Sequence, residues 1–218
     1  MKQRVFNLII LDESGSMRII KKQAIGAVNE TIQTIRHSQK EHEDQEHFLS
    51  LVVFNSCEVK TVYDCMEIDR IEELPSDQYR PTACTPLYDA MGNAITALRQ
   101  KVADADSVLV TIVTDGYENS SREYTGEAIY ELVDSLKAKG WLFAYIGANQ
   151  DADRVGRSMG IRSTLSFDAT CEGTEEMGMK MSKMVDRAID YSINLSRGDY
   201  DEELNLFDEN PGLSKLDK

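Results

Sequence analysis

No stretch of the 218-residue chain holds the ~18 consecutive apolar residues that a membrane-spanning helix needs. The first residues pass almost directly into an apolar segment, without a charged-then-apolar leader. These two absences set the expectation of a cytoplasmic protein. Positive charge is also short: 24 Lys and Arg face 38 Asp and Glu, for a net charge of -14. Nucleic acid and anionic membrane both demand a positive surface, so neither is expected as a partner. The three histidines, His37, His42 and His47, stand at five-residue steps, which do not stack on one helix face. They read as solvated connector residues rather than a zinc triad. The four cysteines, Cys57, Cys65, Cys84 and Cys171, include no C-x-x-C pair and no zinc-like spacing. Without a secretory signature they read as free, buried thiols. Of only four prolines, Pro75, Pro81 and Pro86 bracket a single irregular segment.

What is present is a core. A chain of this length with 41% hydrophobic residues buries about 70% of its unfolded surface as one domain. Leu8 to Leu11, with Val5 and Phe6 close before them, form an apolar run that breaks into Asp12, Glu13, Ser14, Gly15 and Ser16. Such a run, ended by small polar residues, reads as a strand buried on both faces. Ile20, Ala24, Ala27, Val28, Thr31 and Ile35 then recur at three and four residue steps, predicting a helix over 17–39 with Ser16 as its N-cap. Residues 37–46 read as a polar connection. Residues 47–55 and 59–66 read as strands whose short link makes an antiparallel hairpin.

A helix resumes at Pro86. The second strongly apolar run, 107–114, ends in Asp115, Gly116, Tyr117, Glu118 and Asn119. Beyond it the pattern predicts a helix at 127–139 closed by Gly140, a strand at 141–146 and a short helix at 153–159. A strand at 163–167 and a long helix at 175–195 follow. Met177, Met181, Met184, Ala188 and Leu195 lie down one side of that last helix, as core rather than as a partner groove. Strands alternating with helices imply a doubly wound, mostly parallel α/β sheet with one antiparallel edge. The domain spans 1–196, and 197–218 is an acidic extension. Arg197-Gly198-Asp199 in that extension reads as chance, and Gly173 to Lys180 lacks the Gly-Lys pair of a phosphate loop.

In open α/β sheets ligands bind where strands end in loops at a switch in strand order. Polar residues gather at three such places: Asp12, Ser14 and Ser16 after the first strand, Thr85 in the Pro-bracketed loop, and Asp115 after the fourth strand. Carboxylates and hydroxyls are hard oxygen donors, suited to magnesium, manganese or calcium rather than zinc or copper. The Asp-x-Ser-x-Ser alternation lets three oxygens face one ion from an extended turn. Two carboxylates brought together repel unless a cation lies between them, and together they balance a divalent charge.

Asp12-Glu13-Ser14-Gly15-Ser16, Thr85 within Cys-Thr-Pro-Leu-Tyr-Asp, and Thr114-Asp115-Gly116 occur in the order of the metal-ion-dependent adhesion site of the von Willebrand factor type A family. The chain resembles that family from about Arg4 to Leu195. The resemblance implies a six-stranded sheet of order 3-2-1-4-5-6. It implies one divalent cation, magnesium first, with Ser14, Ser16 and Thr85 as direct or near-direct ligands and Asp12 and Asp115 acting mainly through water. It also implies a non-catalytic module whose bound ion captures an Asp or Glu of a protein partner. Glu13, Arg80, Tyr117, Glu118 and Asn119 are the expected rim around that ion. The alternative is a magnesium-dependent phosphatase or hydrolase with Asp12 as nucleophile. That chemistry wants a second carboxylate two residues on, where Ser14 stands, and a cation placed for the transferring phosphate.

Overall fold

Alternation along the first strand decides the layering. β1 (Gln3–Asp12) turns Val5, Ile9 and Leu11 to one face and Phe6, Leu8 and Ile10 to the other, and each set is buried in a separate apolar core. A strand apolar on both faces must be covered on both. The computed structural model describes residues 2–195 and 204–208. After β1 come α1 (Lys21–Glu41), β2 (Gln45–Phe54), β3 (Val59–Glu67), α2 (Leu87–Arg99) and β4 (Ser107–Thr114). They are followed by α3 (Gly126–Lys137), β5 (Leu142–Ala148), α4 (Ala152–Ser158), β6 (Ser163–Phe167) and α5 (Cys171–Leu195). The six strands form one sheet in the order β3-β2-β1-β4-β5-β6. All neighbours are parallel except β3, which runs antiparallel to β2 at the edge. α1 and α5 cover one face, and α2, α3 and α4 cover the other. Fold class, strand order and the antiparallel edge thus match the expectation from sequence.

Several local expectations are corrected. Ser16 caps no helix: Gly15–Arg18 is a short 3-10 helix, and α1 begins only at Lys21 with no side-chain cap. The Ser16 hydroxyl is committed elsewhere, donating to Asp115. Half of the connector expected over 37–46 is helix, because α1 continues to Glu41 before β2 starts at Gln45. His47 is therefore an inward residue of β2 and fully buried, not solvated. Burial pushes its imidazole down to about 4, and its Nε2 pairs with Gln45 Oε1 at 2.9 Å. His37 lies by Glu41 and His42 by Asp190, so the three histidines do not converge.

Cys57, Cys65 and Cys84 are free, as expected, but Cys57 and Cys84 are exposed and Cys65 is only half-buried. The first two sit in connections rather than on buried strands, and Cys65 takes a left-handed φ of 48° on β3. The side chain of Cys171 lies outside the described residues.

Met177, Met181, Met184 and Ala188 of α5 are buried in the core shared with α1, as the apolar stripe predicts. Within the acidic extension, Leu206 is buried in the same core. Its N–H donates to Ser163 Oγ at 3.0 Å and its carbonyl accepts from Arg187 Nη1 at 3.1 Å. Arg197-Gly198-Asp199 and most of the remaining 197–218 extension lie outside the described residues. Among the described residues, no helix is long and apolar enough to cross a membrane.

Ile10 is fully buried at the centre of the sheet, where both neighbouring strands are parallel. Ile10→Ala should lower the unfolding free energy by about 2–5 kcal/mol, read from urea denaturation.

Candidate functional site

The parallel register of β1 on β4 places Leu11 opposite Val113, so both strands end side by side and deliver Asp12 next to Thr114 and Asp115. The Thr114 hydroxyl donates to Asp12 Oδ2 at 2.6 Å, and the Ser14 backbone N–H donates to Asp12 Oδ1 at 2.6 Å. The Ser16 hydroxyl donates to Asp115 Oδ1 at 2.6 Å, and the Ser14 and Ser16 hydroxyl oxygens stand 3.2 Å apart. Thr85 arrives from the loop before α2. A Cβ built on Gly116 would lie 2.9 Å from Thr85 Oγ1 and 3.6 Å from Asp12 Oδ2, so both oxygens crowd the same glycine. Only glycine lets the loop after Asp115 pass so close to them. The structure thus gathers Asp12, Ser14, Ser16, Thr85 and Asp115 at one end of the sheet, at the switch in strand order.

Hydrogen bonds between loops hold this arrangement. The Thr85 N–H donates to Asn119 Oδ1 at 2.9 Å, while the Asn119 N–H donates to the Thr85 carbonyl at 3.1 Å. Thr82 N–H donates to the Glu13 carbonyl at 2.8 Å and Gly15 N–H to the Ala83 carbonyl at 3.1 Å. Between them Ala83 adopts a left-handed φ of 62°. Glu13 is buried rather than presented on a rim. Its carboxylate accepts from the Arg80 backbone N–H and from Asn55 Nδ2. The Glu118 carboxylate is similarly occupied, accepting from the N–H groups of Ser120, Ser121 and Tyr88 and from the Ser121 hydroxyl. Of the five expected rim residues, Arg80, Tyr117 and Asn119 are exposed, and Tyr117 keeps 55% of its surface in solvent.

Three residues escaped sequence reasoning. Tyr79 is fully buried and its hydroxyl donates to the Asp12 carbonyl at 2.5 Å. It sits in the Pro-bracketed segment, where no periodicity marks a residue as inward. Asp89, near the start of α2, accepts from the N–H groups of Arg122, Glu123 and Tyr124. Burial pushes its carboxyl up, but these hydrogen bonds outweigh it and hold the pKa below the ordinary value. Ile19 is 81% exposed just after the turn that carries Ser16, an apolar side chain that a helix-first reading hides.

The electrostatics of the two acids are unusual. Asp12 is fully buried, and burial pushes its carboxyl up to about 6 despite hydrogen bonds from Thr114 and Ser14, with the charge on Asp115 acting in the same direction. Burial also raises Asp115, against the bond from Ser16. Among the described residues no ion pair reaches either carboxylate. No group of three or more His, Cys, Asp or Glu able to hold a metal occurs among them either. The donor set here is different in kind, two carboxylates with three hydroxyls, and its chemistry fits a hard divalent ion rather than zinc.

The folded Asp12 titrates near 6 against an ordinary 3.8. Between those values the folded state holds the extra proton, so stability falls as pH rises. In chelator, the parent should lose on the order of 3 kcal/mol from pH 4 to pH 7 relative to Asp12→Asn, measured by urea denaturation. Parallel pH profiles of the two proteins would show that Asp12 titrates normally.

No protein-family model matches the chain, and no curated relative matches it. Solved structures do share its architecture. The vWF domain of the type V pili tip protein Mfa5 from Porphyromonas gingivalis aligns with a TM-score of 0.57 at 9% identity, covering 93% of this chain and 99% of that one. The SpRpn10 VWA domain aligns with a TM-score of 0.52 at 10% identity, covering 83% and 95%. Proximal thread matrix protein 1 from the mussel byssus aligns with a TM-score of 0.59 at 12% identity, covering 83% of this chain. The chain spans only 46% of that mussel protein. Identities this low speak for the fold alone, and the fold of this chain is von Willebrand factor type A-like.

Proposed function

We propose that the chain is a non-catalytic protein-interaction module that takes one divalent cation, magnesium ahead of manganese or calcium, and uses it to capture an acidic side chain of a protein partner. The observation that carries this reading is the pair Asp12 and Asp115: two desolvated carboxylates with raised pKa values beside three hydroxyls, with no basic side chain among the described residues paired to them. Ser14, Ser16 and Thr85 would hold the ion directly. Asp12 and Asp115, already engaged by Thr114, Ser14 and Ser16, would lend it their charge mainly through water. The bound ion supplies a local positive point on a chain of net charge -14, which otherwise repels an acidic partner. Arg80 and the exposed apolar Ile19 and Tyr117 lie on the loops around it and would select what flanks the captured acid. Among the similar folds, the Mfa5 domain belongs to a pilus tip protein, a setting that favours contact with other molecules over turnover.

Asp12 itself argues against the phosphatase alternative. The nucleophile that reading needs is fully buried, with both oxygens already accepting hydrogen bonds. A carboxylate so placed is not presented to a phosphate ester.

Thermal denaturation in magnesium and in chelator tests the proposal. At an ion concentration near 100 times the dissociation constant, the parent should gain about 2.7 kcal/mol. Thr85→Ala, which removes one hydroxyl and leaves both acids in place, should lose most of that gain. A parent with the same melting temperature in magnesium and chelator overturns the cation and, with it, this mode of capture.

A further inference from the structure

We propose that Cys57 and Cys84 form a reversible disulfide that ties the tip of the β2–β3 hairpin to the loop carrying Thr85. Exposed free thiols are uncommon in folded chains, since cysteine is among the most buried residue types. Here two of them, Cys57 and Cys84, are exposed in connections at the same end of the sheet.

The hairpin tip is a well-defined turn. Asn55 Oδ1 accepts from the N–H groups of Cys57 at 2.8 Å and Glu58 at 3.1 Å, and the Asn55 N–H donates to the Glu58 carbonyl at 2.9 Å. Ser56, in the middle of that turn, meets Cys84 twice. Its N–H donates to the Cys84 carbonyl at 3.0 Å, and its hydroxyl accepts from the Cys84 N–H at 3.1 Å.

Cys57 is therefore one Cα step, about 3.8 Å, from a residue hydrogen-bonded to Cys84. A disulfide bridges Cα separations of about 4.4–6.8 Å, so the two turns have only to bring their cysteines within that span for the bond to close. Neither cysteine belongs to a helix or strand, so neither side chain is held by a ladder. Cys65 is placed differently, half-buried on β3, where its N–H donates to Ser50 Oγ at 2.9 Å.

The chemistry is thiol-disulfide exchange with a low-molecular-weight disulfide, such as glutathione disulfide. One cysteine sulfur attacks the oxidant, forms a mixed disulfide and expels one glutathione thiolate. The second cysteine sulfur attacks the first, closing the Cys57–Cys84 bond and expelling the other. The two protein thiols lose two electrons and two protons, and the oxidant gains them as two thiols. Exposed bonds of this kind are the labile, regulatory class. The tie does not require the cation. It acts on the loop that already contacts the β1 end through Thr82–Glu13 and Ala83–Gly15, fastening that loop covalently on its other side.

The test equilibrates the full chain with glutathione disulfide and maps its peptides. A single intramolecular cross-link joining Cys57 to Cys84, reversed by dithiothreitol, is expected. Oxidation should also raise the melting temperature in magnesium and in chelator alike, an effect lost in Cys57→Ser. Separate glutathione adducts on Cys57 and Cys84, a cross-link to Cys65 or Cys171, or a bond between two copies would overturn the proposal. Because formation of the bond is read by mass, its outcome is independent of any magnesium response.

Discussion

The register of β1 against β4 governs the top of this molecule. With Leu11 opposite Val113, the two central strands finish level, and the hydroxyl of Thr114 reaches Asp12. A slip of one residue would exchange the two faces of β1, sending Phe6, Leu8 and Ile10 toward α1 and α5 and separating the acids. The two cores thus enforce the register, and the register enforces the site.

Holding two acids in that position has an electrostatic cost, visible in the raised pKa values of Asp12 and Asp115. The surrounding loops offset part of it with donors. Ser14, Thr114 and Ser16 each give a hydrogen bond to one of the carboxylates, and the Tyr79 hydroxyl donates to the Asp12 backbone carbonyl. The bracing extends outward to Glu13 and Asn119, which follow the two acids in the chain, and to Asn55 from the distant hairpin. Three connections separated by long stretches of sequence are therefore fastened to one another by hydrogen bonds. This is the arrangement expected where a few polar groups must be held in one geometry.

The architecture was largely legible in the sequence because β1 and β4 are apolar on both faces, which only a covered central strand tolerates. The short link after Asn55 marked the hairpin, and in the structure the Asn55 side chain closes that turn. The five oxygen-bearing residues stood out by type and by their position at strand ends. What stayed hidden depends on tertiary placement. Ser16 before an apolar periodic stretch looks the same whether it caps a helix or bonds Asp115. His47 differs from His37 and His42 only in falling on an inward position of β2. Glu13 and Glu118 carry charge, which favours a solvated reading, yet Glu13 accepts from the Arg80 N–H of another loop, and Glu118 from the N–H groups of Ser120 and Ser121 in its own loop and of Tyr88 on α2. Tyr79 and the exposed thiols lie in connections, where no period exists to read.

The position of β1 bears on how the chain is made. Of these six strands β1 leaves the ribosome first, yet it ends in the middle of the sheet, and its second neighbour starts only at Ser107. Until then β2 can pair with one side of β1 while the opposite edge has its amides open, a state prone to sticking to other nascent polypeptides. Pairings so distant along the chain are slow to find. Asp12 therefore remains hydrated until β4 has been made, and its transfer out of water waits for that pairing.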